Sequence, residues 1–109
     1  MRAREYLQYC LKLRRHGYEF KKDCPYEGRN IWVKYPIKDN RSSIQLDVYS
    51  HIDDKGEECL NLYPRAILLR EDCDCELRLD IKFKTNNIVY IEIMFAKYAN
   101  KLNTNQQFE

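Results

Sequence analysis

IQLDVYSHIDDKGEECLNL, residues Ile44–Leu62, decides how this chain folds. Before its centre Ile44, Leu46, Val48 and Ile52 alternate with Gln45, Asp47, Tyr49 and His51; beyond it Leu60 and Leu62 continue the period. A period of two marks a strand with one dry and one wet face. Asp54, Lys55 and Gly56 fit a three-residue loop with glycine in the left-handed position. In that register Asp53 faces Glu57, Ser50 faces Leu60 and Val48 faces Leu62, so the apolar faces coincide. A slip of one residue would turn one apolar set to solvent. The same register sets His51 opposite Cys59.

The cleanest alternation lies further on. Cys73, Cys75, Leu77, Leu79, Ile81 and Phe83 alternate with Asp74, Glu76, Arg78, Asp80 and Lys82. A loop of Thr85, Asn86 and Asn87 would pair Phe83 with Val89, Ile81 with Ile91, Leu79 with Ile93 and Leu77 with Phe95. Every facing pair is then apolar, which predicts a second hairpin. Upstream, Tyr18 and Phe20 alternate with Glu19 and Lys21, and "IWVKYPI" is rich in strand formers, with Pro36 at an edge or strand end. "PRAILLR" is short and apolar, and is taken as a strand.

Helices flank this β-rich region. Ala3, Leu7, Cys10 and Leu11, with Leu13 and Tyr6, recur near the 3.6-residue period, Arg14, Arg15 and His16 suit a helix C-terminus, and Gly17 suits its left-handed end. Phe95, Tyr98, Ala99 and Leu102 suggest a short final helix. The expected fold is α+β: an N-terminal helix over residues 2–16, packed on a five- or six-stranded meandering antiparallel sheet, and a short C-terminal helix over 95–102. Strands are expected at about 17–22, 30–36, 43–52, 57–63, 65–70, 73–84 and 88–95.

A chain of 109 residues is expected to form one domain, 1–109. With 44% hydrophobic and 33% charged residues it should fold rather than remain disordered. No apolar run approaches the ~20 residues of a membrane helix. The N-terminal segment lacks the continuous apolar core of a secretory signal, so a cytoplasmic location, in a cell or a host cell, is expected. Five cysteines, an odd number, argue against a disulfide framework. Abundant Lys, Asn, Ile and Tyr suggest an AT-rich genome.

Charge is unevenly laid out. Residues 1–41 hold eleven Lys/Arg and five Asp/Glu; residues 42–80 hold four and ten. Such asymmetry can present two opposed surfaces to partners. The acidic candidates for a protein-binding surface are Asp53, Asp54, Glu57 and Glu58 at one hairpin tip, with Asp72, Asp74 and Glu76. The basic candidates for nucleic-acid contact are Arg14, Arg15, Lys21, Lys22, Arg29 and Lys34, interleaved with Tyr6, Tyr9, Tyr18, Tyr26, Trp32 and Tyr35. Cations meet phosphates and aromatics stack on bases, though the same residues also suit a core and a solvated face.

Catalytic and metal signatures are thin. Cys73 and Cys75 are closer than a usual zinc knuckle and fall on the apolar side, where thiols act as small hydrophobes. His51 and Cys59 make two ligands, not four. Flanking carboxylates would raise a thiol pKa at Cys73 and Cys75; Cys24, beside Lys21 and Lys22, is the better candidate for an exposed thiol. Asp80-Ile81-Lys82 has the D-x-K spacing of one class of Mg²⁺-dependent nuclease, a tripeptide that alternating charges also produce. No catalytic residue, metal site or cofactor is assigned. The expected function is a small non-catalytic interaction protein, an accessory protein of a phage or mobile element that inhibits or regulates a nucleic-acid-processing partner. Direct DNA or RNA binding by the basic N-terminal third is the alternative, and a nuclease the third reading.

Overall fold

The computed structural model describes residues 1–24, 29–38, 41–69, 76–81 and 85–103, with the side chains at 22–24, 29 and 103 left aside. The chain runs α1 (Ala3–Arg15), β1 (Glu19–Cys24), β2 (Arg29–Lys34), β3 (Ser43–Ile52), β4 (Glu58–Leu69), β5 (Glu76–Asp80) and α2 (Ile88–Asn103). The fold is α+β. Five antiparallel strands lie side by side in sequence order, β1 to β5, between an N-terminal and a C-terminal helix.

α1 ends as its sequence predicts. Gly17 takes φ 87°, its N–H donates to the Arg14 carbonyl (3.1 Å), and the Tyr18 N–H reaches back to Leu13 (2.9 Å). This pair of bonds satisfies two orphan carbonyls of the last turn. The central hairpin also takes its predicted register: Val48 pairs with Leu62, Ser50 with Leu60 and His51 with Cys59. Gly56 closes the tip at φ 78°, and the Asp53 N–H donates to the Glu57 carbonyl (2.9 Å).

Two expected strands, 57–63 and 65–70, are one strand with Pro64 inside it. The Pro64 carbonyl points away from β3 and accepts from Ile81 N–H (2.9 Å). The missing proline N–H therefore lies on the same outer side, beyond the end of β5, and the β3 ladder is intact.

The second expected hairpin does not form. Residues 88–95 are not a strand but the first half of α2, which runs on to Asn103. Asn87 is no hairpin residue; its side-chain oxygen accepts the Tyr90 N–H (3.1 Å), as a helix N-cap does. Ile88, Ile91, Phe95 and Ala99 are buried, a helical spacing, while Val89 and Ile93 are exposed. Of the expected strand 73–84, Glu76–Asp80 forms β5, paired to β4 instead of to residues 88–95. Residues 70–75 and 82–84 lie outside the described residues.

Both helices cover the even-numbered face of β2, β3 and β4. Trp32, Ile44, Leu46, Val48, Leu60 and Leu62 are buried there against Tyr9 and Leu13 of α1 and Ile91 and Phe95 of α2. Polar groups brace the covering layer: Lys34 donates to Glu92 of α2 (3.0 Å), and Trp32 Nε1 donates to the Tyr6 hydroxyl of α1 (2.9 Å). No helix among the described residues is long and apolar enough to cross a membrane.

Candidate functional site

Among the described residues the β3–β4 hairpin extends past its neighbours: the β2 ladder reaches Tyr49, and the β5 ladder runs over Arg65–Leu69. Arg2 and Cys59 make an isolated bridge beside the distal part of β4, where Leu60 N–H donates to the Met1 carbonyl (2.7 Å). Beyond that bridge stands the acidic tip, with Ile52 66% exposed.

The four acidic tip residues divide into two pairs. Asp53 and Glu57 both bind the Arg2 guanidinium, Asp53 at 2.9 Å. Asp53 Oδ1 also accepts the Glu57 and Lys55 N–H groups at 2.9 Å each, and the Cys59 thiol donates to Oδ2 at 3.6 Å. The Glu57 and Lys55 N–H groups, with Arg2 and Cys59, hold the Asp53 carboxyl below the usual carboxylate range. Asp53 and Glu57 therefore build the tip. Asp54 and Glu58 are exposed; Glu58 accepts the Ser50 hydroxyl (2.8 Å). Glu76 lies apart on β5, where it accepts from Arg78 Nε (3.2 Å). Asp72 and Asp74 lie outside the described residues.

The described basic candidates do not form one cluster. Arg14 lies over the Trp32 ring, 5.7 Å from its centroid, on the helix side. Arg15 borders a hollow of about 400 Å³ that also touches Lys12 and Asn86. Lys21 approaches Tyr35 (6.0 Å to the ring centroid). Lys34 is committed to Glu92 and to the Tyr18 ring. Lys22 and Arg29 occupy β1 and β2, and their side chains are not among those described. Of the interleaved aromatics, Tyr9, Tyr18 and Trp32 are buried and Tyr6 packs on the core; Tyr35 is 55% exposed, and Tyr26 lies outside the described residues. Burial pushes the Tyr9 and Tyr18 hydroxyls above the ordinary phenol range, Tyr18 also facing Glu92.

The odd-numbered face of the sheet carries a constellation that the sequence reading passed over. Asp47 is fully buried there, with Gln45 Nε2 at 2.9 Å and Arg65 Nη1 at 3.9 Å. Arg65 Nε lies 3.4 Å from the exposed Asp80. Tyr49 and Tyr63 meet edge to face, centroids 5.1 Å apart. Nothing in the alternation distinguishes Asp47 from any solvent-facing strand residue. Its one signal is the cross-strand register, which sets it opposite Tyr63 and diagonal to Arg65.

The chemistry of the described groups is that of charge pairing. Asp80, the carboxylate of the D-x-K tripeptide, brackets Arg65 together with Asp47, so a cation already lies between the two acids. Lys82, Cys73 and Cys75 lie outside the described residues. His51 faces Cys59 as expected, and the His51 ring is 3.4 Å from Asn61 Nδ2. Burial raises the Cys10 thiol pKa, opposite to what a reactive thiol needs. No protein-family model matches the chain, and neither curated proteins nor solved structures gave a significant match.

Proposed function

We propose that this chain is a non-catalytic interaction protein that docks its β3–β4 hairpin tip on a basic protein surface, as an accessory protein that inhibits or regulates a nucleic-acid-processing partner. One observation carries the reading: Ile52, paired with Glu58 at the distal end of the β3–β4 ladder and past the described β2 ladder, stands 66% exposed, close to Asp54. A large apolar side chain ringed by charge is how a contact centre with a polar rim is built. Arg2 supports the same reading, because it ties Asp53 and Glu57 from behind and stiffens the tip. A preorganised tip loses less entropy on docking. A nucleic-acid-processing partner suits the tip because its binding cleft is basic, and it suits the AT-rich composition typical of mobile elements.

The test is affinity capture with the tagged chain beside an Ile52→Ser/Glu58→Lys variant of unchanged circular dichroism. The wild type should retain one stoichiometric basic protein, and the variant should release it. Retention by the variant, or no capture by either, contradicts the reading.

A further inference from the structure

The face of the sheet away from the helices holds a cavity of about 360 Å³. Val33 and Ile67, only 8% and 7% exposed, belong to its lining. Tyr35, Gln45, Arg41 and Arg78 also line it, with the Glu76 carboxylate beside Arg78. Lys21 approaches the Tyr35 ring from β1, and the Tyr49–Tyr63 pair stands on the same face of β3 and β4. Apolar lining, an exposed ring, an amide and two guanidiniums are what a nucleotide needs: a surface for the base, a partner for its edge and cations for its phosphate.

We propose that this face binds single-stranded nucleic acid, one nucleotide seated in the cavity and its neighbours stacked toward Tyr63. Three observations favour a strand over other occupants. Tyrosines repeat along the face, as stacking of successive bases requires. The described cations near the cavity, Lys21, Arg41 and Arg78, complement a phosphate backbone, and the Arg78–Glu76 contact is an exposed ion pair that a phosphate can displace. Gln45 spends its amide nitrogen on Asp47 and keeps its carbonyl oxygen for a base amino group. The site is separate from the hairpin tip, so either can fail without the other.

Fluorescence anisotropy with labelled twelve-nucleotide poly-dT and poly-U, against a duplex of the same length and against uridine monophosphate, tests it. The strand should bind at least tenfold more tightly than duplex or mononucleotide, and binding should weaken steeply between 50 and 200 mM salt. Tyr35→Ala and Arg41→Glu, both at exposed positions, should each weaken it tenfold or more, whereas Lys97→Glu on α2 should leave it unchanged. Four results overturn the proposal: no binding by the wild type, equal affinity for duplex, equal affinity for the mononucleotide, or loss of binding with Arg14→Ala/Arg15→Ala but not with Tyr35→Ala.

Discussion

The two faces of the sheet are built from alternate residues of the same strands, yet they are chemically unlike. On β3 the even positions Ile44, Leu46 and Val48 are buried under two helices. The odd positions Gln45, Asp47 and Tyr49 face away from both helices, and a charge and a cavity lie there. The covered face follows what stability alone asks of a sheet. The other face places a buried acid beneath Arg65, which stability does not ask for, since a buried ion pair is often no better than apolar packing. Function is to be sought at positions, such as Asp47, whose chemistry stability leaves unexplained.

The comparison breaks most visibly through the core. Leu46→Ala on the covered face should cost about 2–5 kcal/mol, measured by urea unfolding. Val33→Ala on the other face should cost clearly less, about 1–2 kcal/mol, because it removes fewer atoms beside an existing cavity. Equal losses would mean that both faces share one core. Next in size is Asp47→Ala, which strips the acceptor from Gln45 and one partner from Arg65; a loss of about 1–3 kcal/mol is expected.

How much of this was readable depends on range. The β3–β4 register was legible to the residue because turn chemistry and alternation agree over a short distance. α2 was not legible as a helix. Ile88–Phe95 is dense in β-branched residues, and a short apolar run satisfies periods of two and 3.6 alike. Reading Val89, Ile91, Ile93 and Phe95 as one face concealed the helical set Ile88, Ile91, Phe95 and Ala99. Asn87 was the missed signal, since an asparagine that serves a turn also caps a helix. At the tip, the clustering of acids was legible, but their division was not. Arg2, 51 residues before Asp53, decides which acids are spent, and no local pattern announces that contact.

Smaller effects sharpen the contrast. Asp53 has a depressed folded-state pKa, so its contribution is present above its unfolded pKa of ~3.9 and is lost as pH falls through the folded value. Protection from hydrogen exchange at the Lys55 and Glu57 amides, both held by Asp53 Oδ1, should therefore fall below about pH 4 before protection at Leu46 and Val48 does. Uniform exchange would show that the tip is no separate unit. Tyr9→Phe should be the mildest change. The Tyr9 hydroxyl is buried without a hydrogen-bond partner among the described residues, so its removal should be neutral or stabilising by up to about 1 kcal/mol at pH 7. Because burial raises the Tyr9 pKa, its protonated form supports the fold below the unfolded value of ~10, and that support fades as pH rises above it. The variant's advantage should therefore grow in alkali.

The division of labour between the faces has one direct readout, amide and side-chain chemical shifts followed while poly-dT is added. Perturbations are expected at Tyr35, Gln45, Tyr63 and Arg78, with the intervening Ile44, Leu46 and Leu62 far less affected. Shifts confined to Arg14 and Arg15 of α1, or spread evenly over odd and even positions of β3, would contradict it.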